Sequence, residues 1–325
     1  MNLIINTSTD PAFNLALEEY LLAATCLDVV MLWRNERSVI IGKNQNAFEE
    51  IDLDFVKERG IKVIRRQSGG GAVFHDLGNI NFTIIQARGG DDFSNFARFT
   101  APIVGFLRGL GVTAELHGRN DLVIDGMKFS GNAQAVKGGR IMHHGTILFN
   151  ADLEGLAGAL RPNPAKIESK GIKSVRSRVT NVAAHLKAPM GAEEFFNRLC
   201  GYFKENAEGM PERALTDADR KAVGVLVDEK YSKWEYNFGS SPDYSYRKSA
   251  KFESCFIDLR MFAERGEIKE IRIFGDFFGE LDICGLEGAL LGSRHDKAAL
   301  RAIIHNMPIR QYIHGITEED FLSLF

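Results

Sequence analysis

Two stretches hold the residues that could do chemistry. In the first, Arg65-Arg66-Gln67-Ser68-Gly69-Gly70-Gly71-Ala72-Val73-Phe74-His75-Asp76, a pair of arginines ends the apolar run Ile61 to Ile64, and three glycines lead into another apolar run. Glycine in strand-like sequence loses more backbone entropy on folding than any other residue and offers no side chain to pack. The cost makes sense where a ligand must approach bare backbone. Exposed N–H groups can form an anion-binding nest, and the arginines add charge and forked donors beside it. A phosphate or an acyl chain suits such a place. On these residues alone, a glycine-rich hairpin or bulge with exposed arginines fits as well.

The second stretch begins at Gly118-Arg119-Asn120-Asp121 and runs through Leu122-Val123-Ile124 to Asp125-Gly126, a strong two-residue hairpin signal. Met127-Lys128-Phe129-Ser130-Gly131-Asn132-Ala133 runs back, and Gly138-Gly139 turns the chain again into Ile141 to Phe149. The pattern predicts an antiparallel meander. Alternation sets the Lys128 side chain opposite those of Met127 and Phe129. It is either a solvated outer-face lysine, the commoner case, or a cation aimed at a ligand. The adjacent Ser130-Gly131, which again opens the backbone, favours the ligand.

Other chemistries fit less well. His75-Asp76, His143-His144 and Asp121 suggest a metal site, but neighbours on a strand point to opposite faces, so His143 and His144 cannot both ligate one ion. No helical H-x-x-x-H spacing occurs. The four cysteines, Cys26, Cys200, Cys255 and Cys284, are scattered without a C-x-x-C pair, which argues against a zinc ribbon or a disulfide scaffold. Cys200 lies with Phe195, Phe196, Leu199 and Phe203 on a predicted helix core face, where cysteine behaves as a small hydrophobe. With 40 basic and 43 acidic residues and a net charge of -3, the chain is not expected to bind nucleic acid through overall basicity. The N-terminus lacks the pattern of a signal peptide and no apolar run is long enough for a membrane span, so the expected compartment is the cytoplasm.

The elements that must position these residues can be read in order. Asp10 caps a helix beginning at Pro11, with Phe13, Leu17, Tyr20, Leu21 and Ala24 on its apolar face. Val29 to Trp33 and Val39 to Ile41 read as paired strands, followed by the polar turn Gly42 to Asn46. A short helix over Asp52 to Arg59 closes at Gly60. Asn79 to Gln86 reads as a strand, and Phe93 to Leu110 as a helix. Helices follow over 153–160, 192–207 and 216–230, the last with Thr216 as cap. Between them, the basic stretch from Lys166 to Asn181 is a surface loop or a lid that closes on an anionic ligand. Gly239-Ser240-Ser241-Pro242 marks a linker. Beyond it, strands at Lys251 to Met261 and Ile268 to Phe274, followed by helices, make a small α+β domain. The expected division is 1–243 and 250–325.

Taken together and in this order, these motifs resemble the lipoate–protein ligases of the LplA type. The resemblance also takes in Lys170 to Asn181 and Trp234 with Asn237-Phe238-Gly239. It implies an α+β fold of mixed and antiparallel sheets flanked by helices, with a biotin/lipoate-ligase-like catalytic domain and a small C-terminal accessory domain. It implies activation of lipoic acid with ATP and Mg²⁺ to lipoyl-adenylate. The lipoyl group then passes to a lysine of a lipoyl carrier domain, of the 2-oxoacid dehydrogenase E2 or glycine cleavage H-protein type. Lys128 is implied as catalytic, touching both the carboxylate of lipoate and the α-phosphate. Arg66, Gly71, Ala72, Val73, Phe74 and Asp121 are implied in ATP and lipoyl-adenylate binding, with Asp121 a possible contact for magnesium that no tight protein site holds. Arg65, Ser68, Gly69, Gly70, His75 and His144 are implied in the lipoate pocket, and Lys173, Ser174, Val175, Arg176 and Arg178 in a loop over the adenylate. Gln67 stands where serine is common in the family, and Gln134-Ala135 where some members carry bulkier polar residues, so acyl preference stays open. Competing readings are an octanoyltransferase or a lipoyl-adenylate-dependent lipoyltransferase on the same scaffold, and a non-catalytic lipoyl- or nucleotide-binding module. No cysteine lies near the glycine run or the Lys128 hairpin to serve the octanoyltransferase.

Overall fold

The computed structural model describes residues 1–43, 45, 47–90, 92–118, 120–160, 179–206, 210–239, 244–275, 277 and 280–325. The chain divides into two units, Met1–Asn237 and Phe238–Phe325. The division falls ahead of the Gly-Ser-Pro run because Asn237 is tied into the first unit. Its Oδ1 accepts from the Arg65 backbone N–H at 2.9 Å and its Nδ2 donates to the Tyr231 carbonyl at 2.8 Å. The expected linker residues 240–243 lie outside the described residues.

The first unit is built on two sheets. Its strands in chain order are β1 (Asn2–Ile5), β2 (Val29–Arg34), β3 (Ser38–Ile41), β4 (Lys62–Arg65), β5 (Val73–His75), β6 (Asn79–Ala87), β7 (Glu115–His117), β8 (Asp121–Ile124), β9 (Met127–Lys137) and β10 (Arg140–Leu148). The large sheet has the order β1-β2-β6-β10-β9-β8-β7, and the small one β4-β3-β5. β1 runs parallel to β2, and β3 parallel to β4, while β2, β6, β10, β9, β8 and β7 pair antiparallel in turn.

Both faces of the large sheet are covered, so its central strands are apolar on both sides. Along β2, Val30 and Leu32 join one core with Phe82, Phe129, Phe149 and Phe195, while Val29, Met31 and Trp33 join another against the helix α1 (Pro11–Ala23). The same alternation separates the two adjacent histidines of β10, as expected. His143 stacks with Phe99 at 5.0 Å and Phe82 at 5.8 Å on the first face. His144 reaches Glu18 of α1 on the second.

Two sequence expectations change. Val29 to Trp33 and Val39 to Ile41 do not pair with each other; β2 lies in the large sheet and β3 in the small one. The segment between them is not a hairpin turn. Asn35 is fully buried, its side chain held by Asn14 and His75, and the Glu36 N–H donates to the Thr9 carbonyl, which carries the chain across to the second sheet. The second change concerns α1. Asp10 caps it through the Ala12 N–H and Pro11 opens it, as read. But the helix is not buried on one apolar stripe. It packs against β4, β6, β10 and the helix Asp217–Leu226, which buries Asn14, Glu18 and Glu19 and leaves Ala24 exposed.

The turns follow their sequence. Asp125 and Gly126 have φ of 51° and 76°, the pair of positive angles that a two-residue hairpin needs, and Gly138-Gly139 and Arg265-Gly266 repeat it. The helices α2 (Ala47–Glu50), α3 (Leu53–Glu58), α4 (Phe96–Gly109) and α5 (Leu153–Ala159) complete the surroundings of the sheets, with Ala192–Asn206 packed on the first core. Cys200 sits there, buried, its thiol pushed up to about 11 by desolvation and so unsuited to nucleophilic work at neutral pH.

The second unit is a three-stranded antiparallel sheet, β11 (Tyr244–Lys251), β12 (Phe256–Glu264) and β13 (Glu267–Gly275), followed by helices at Ile283–Leu290, Lys297–Ile304, Ile309–Tyr312 and Glu318–Leu322. The strand expected from Lys251 is preceded by β11, an edge strand whose mostly polar sequence gives no apolar run. Among the described residues no helix is long and apolar enough to cross a membrane.

Candidate active site

A cleft of about 130 Å³ opens between the two sheets of the first unit. The glycine loop supplies Gly70, Gly71 and Ala72, and β5 adds Val73 and His75. From the large sheet come Lys128 and Gly131 of β9, and His144 and Thr146 of β10. Leu15, Trp33 and Ile40 give the cleft an apolar side, while Asn81, Asn120 and Asn132 add amides.

Arg66 organises the glycine loop from beneath. Its Nη2 donates to the carbonyls of Gly69 at 2.7 Å and Gly71 at 2.8 Å, its Nη1 to Ile40 at 3.1 Å, and its Nε to the Ser68 hydroxyl at 2.9 Å. Gly70 turns between the two held carbonyls at φ +93°, and a Cβ there would lie 3.0 Å from Arg66 Nη2. A Cβ on Gly42 would lie 2.1 Å from the Gly70 carbonyl oxygen, so this turn too must be glycine for the loop to close. Arg66 is therefore not the exposed arginine of a plain glycine hairpin, and its fork points into the loop's own carbonyls. Arg66 is 6% exposed, and burial pushes its guanidinium down to about 10, with the Glu18 carboxylate opposing the shift. It stays charged at neutral pH and borders the cleft.

Arg65, expected in the lipoate pocket, is not among the residues that line the cleft. Adjacent to Arg66 on a strand, it points the other way. Its Nη1 donates to the carbonyls of Gly42, Lys43 and Gln45, its Nη2 to that of Asn237 and its Nε to that of Tyr236. It clamps β4 to the Gly42 turn and to the helix Trp234–Asn237, which accounts for Asn237 of that motif. Phe74 departs from its expected role for the same reason. Val73 and His75 face the cleft, while Phe74 is 1% exposed, its ring beside Gly155 of α5. Ser68 and Gly69 support the loop without lining the cleft.

Lys128 does face the cleft. Its Nζ is 2.7 Å from Asp121 Oδ1, and the two side chains are 39% and 36% exposed. In the β8–β9 pairing Leu122 faces Ser130 and Val123 faces Lys128, so Phe129 is an extra residue. Such a bulge re-aims the side chains around it. Phe129 drops into the core, and a Cβ on Gly131 would be 3.0 Å from Lys128 Nζ, so Ser130-Gly131 clears the lysine's path. The Thr180 N–H donates to the Lys128 carbonyl at 2.9 Å. The expected adenylate loop residues Lys173, Ser174, Val175, Arg176 and Arg178 lie outside the described residues.

The polar residues at the apolar side were missed, apart from the two histidines. Asn6, Asn14 and Asn35 pass hydrogen bonds along a line. Asn6 donates to Asn14 at 2.7 Å, Asn14 to Asn35 at 2.8 Å, and Asn35 Nδ2 lies 3.0 Å from His75 Nδ1. That order makes His75 Nδ1 the acceptor and leaves the ring proton on Nε2. Glu18 lies at the centre of a second group, with Thr83 and His144. The available signal was two polar residues at i and i+4, Asn14 and Glu18, inside an otherwise apolar helix.

Desolvation pushes His75 down to about 3, with the Arg66 guanidinium adding to the effect, and desolvation likewise pushes His143 down to about 3. Both are neutral when folded and regain an ordinary value of about 6.5 when unfolded. The unfolded state therefore takes up more protons below that pH. Their stabilising effect is complete above about 6.5 and is lost as pH falls towards 3. The expected loss is about 2 kcal/mol per histidine at pH 5 relative to pH 7.5. Both tryptophans, Trp33 and Trp234, lie in the first unit, so urea denaturation followed by tryptophan fluorescence reads it. His143→Phe, which suits the stack with Phe82 and Phe99, should remove about half of the pH-dependent loss; an unchanged pH slope would count against this account.

Among the described residues no three His, Cys, Asp or Glu side chains come together as a metal site. Asp121, the possible magnesium contact, has its carboxylate engaged by Lys128, and a dication there would compete with the lysine.

An apolar side, a glycine loop held through its carbonyls and a lysine on the facing sheet give the cleft parts that suit activation of an acyl group. Residues 10–204 match the lipoyl protein ligase A/B catalytic domain and residues 241–325 the bacterial lipoate protein ligase C-terminus. The chain is 44% identical over 321 residues to the lipoate-protein ligase LplJ of Bacillus subtilis, covering 97% of this chain and 96% of that one. It is 41% identical to lipoate–protein ligase 1 of Staphylococcus aureus, covering 98% of each. Among solved structures it is similar to a bi-partite lipoate protein ligase of Thermoplasma acidophilum, described with its E2 lipoyl domain (TM-score 0.65, 32% identity, 74% of this chain and 96% of that one). It is also similar to lipoate-protein ligase A bound with ATP (TM-score 0.64, 30% identity, 74% and 98%). The chain belongs to the lipoate–protein ligase family and is an enzyme of that class.

Proposed function

We propose that this chain activates lipoate with ATP and Mg²⁺ to lipoyl-adenylate, releasing pyrophosphate. It then transfers the lipoyl group to a lysine of a lipoyl carrier domain in the cytoplasm. The observation that carries the proposal is the position of Lys128 on the same cleft as the Arg66-held glycine loop. Adenylation brings a carboxylate against a polyphosphate, and both are anionic. A cation between them removes repulsion and stabilises charge developing on the α-phosphate. Lys128 is a compact charge on a flexible stem, suited to a group that changes shape. Gly71, Ala72 and Val73 offer backbone to the nucleotide, and Leu15, Trp33 and Ile40 an apolar wall to the acyl chain. Arg66 acts through the loop that it holds. Magnesium would travel on the phosphates of the nucleotide. Relatives solved with lipoic acid and with ATP, and one described with its E2 lipoyl domain, support this choice of substrates and partner.

Among the described residues no cysteine lines the cleft, which favours the ligase over an octanoyltransferase that takes its acyl group from a thioester. Pyrophosphate release measured with lipoate, octanoate and biotin side by side tests the reading. Release with lipoate and none with biotin is expected. Acyl transfer from an octanoyl thioester without ATP, and no pyrophosphate from any acid, would support the octanoyltransferase.

A further inference from the structure

Glu18, His144 and Ser68 form a line that resembles a hydrolase triad. Glu18 Oε1 and Oε2 lie 2.9 and 3.1 Å from His144 Nδ1, and His144 Nε2 lies 2.6 Å from Ser68 Oγ. The surroundings exclude a nucleophilic role for the serine. Ser68 is 1% exposed, it is not among the residues that line the cleft, and its oxygen already accepts a charged hydrogen bond from Arg66 Nε. A hydroxyl drained of electron density by a guanidinium and shut away from the cavity has no acyl carbon to attack.

The same contacts make a continuous polar path from the acyl side of the cleft to the nucleotide side. Trp33, on the apolar wall, donates from Nε1 to Thr83 Oγ1 at 2.9 Å. Thr83 donates to Glu18 Oε1 at 2.6 Å. Facing a carboxylate, His144 Nδ1 carries a proton, so in the neutral ring Nε2 accepts the Ser68 hydroxyl. Ser68 in turn accepts from Arg66, whose Nη2 holds the carbonyls of Gly69 and Gly71. The donors point toward Glu18 from both ends, so its carboxylate accepts from Thr83 on one side and from His144 on the other. It is buried throughout: Glu18, Thr83, Ser68 and Arg66 are each no more than 6% exposed, and His144 is 9%. A buried polar group left without its partner is costly, so a path of this kind holds one arrangement.

We propose that Glu18, His144 and Ser68 are positioning residues for the glycine loop, setting its nucleotide-binding shape through Arg66 and linking it to the acyl wall at Trp33. This rests on the proposed function above and goes beyond it. It gives His144, a cleft-lining residue, a second task on the far side of its ring, and it gives a role to Glu18.

The test is a double-mutant cycle on ATP binding. Glu18→Gln, Ser68→Ala and the double variant are compared with the wild-type chain by calorimetry with ATP and by KM for ATP and for lipoate in pyrophosphate release. Each single variant should weaken ATP binding by about tenfold, and the double variant by little more than either, because they interrupt one path. KM for lipoate should move by less than about threefold in Ser68→Ala, and Ser68→Thr, which keeps the hydroxyl, should restore ATP binding. Thermal melting checks that each variant folds. Unchanged ATP affinity in folded Ser68→Ala, or losses that simply add in the double variant, would overturn the proposal. So would an acyl-serine at Ser68 detected by mass spectrometry. If the wild-type chain binds ATP but releases no pyrophosphate with lipoate, the proposed reaction fails, and the calorimetric cycle still judges the path.

Discussion

Lys128→Ala is expected to slow adenylation of lipoate by about 10²- to 10³-fold, the usual cost of removing one preorganised stabiliser of transition-state charge. The fold should survive. The lysine is 39% exposed and its ion pair with Asp121 is of the partly solvated kind, which contributes only about 0–1 kcal/mol. The expected result is therefore a nearly unchanged melting temperature with little pyrophosphate released. The position argues for a large effect. A strand bulge at Phe129 and the missing side chain at Gly131 both serve to bring this amine into the cleft. Near-normal turnover in the variant would return Lys128 to the role of a surface lysine paired with Asp121.

Gly70→Val should weaken binding of lipoyl-adenylate by on the order of tenfold to hundredfold. Gly70 holds φ at +93°, and any Cβ there meets Arg66 Nη2 at 3.0 Å. A β-branched residue is strained in that backbone region by about 1–3 kcal/mol, and about 1.4 kcal/mol is one decade of affinity. The loop can relieve the strain only by letting go of the Arg66 bonds to the Gly69 and Gly71 carbonyls, which moves the backbone that the ligand approaches. Calorimetry with lipoyl-adenylate reads the effect. Unchanged affinity in a folded variant would mean that the glycines serve only to turn the chain.

Much of this site is legible in the sequence because its chemistry is local. The glycine run, the two-residue turn at Asp125-Gly126 and Ser130-Gly131 after Lys128 each act within a few residues of where they are written. The opposed faces of His143 and His144 follow from strand alternation alone. What the sequence hides is long-range. Arg65 and Arg66 are neighbours, yet one closes contacts with Asn237 and the Gly42 turn while the other is sealed under the glycine loop, and only the packing of β4 decides which does which. The apolar face of α1 is legible, but the burial of its Asn14, Glu18 and Glu19 is not, because it comes from cover by both sheets and by Asp217–Leu226. The failed pairing of β2 with β3 has the same origin. Two apolar runs close in sequence suggest a hairpin, and the buried Asn35 that redirects the chain is recognisable only through its partners Asn14 and His75.

The central claim is that the cleft activates lipoate and delivers it to a protein lysine. Incubating the purified chain with ATP, Mg²⁺, lipoate and a separately prepared lipoyl domain, then taking the intact mass of that domain, measures this directly. The account predicts a mass gain of one lipoyl group on a single lysine, dependent on ATP and slowed by about 10²- to 10³-fold in the Lys128→Ala protein. No gain with ATP and lipoate, alongside modification from an octanoyl thioester in the absence of ATP, would contradict it.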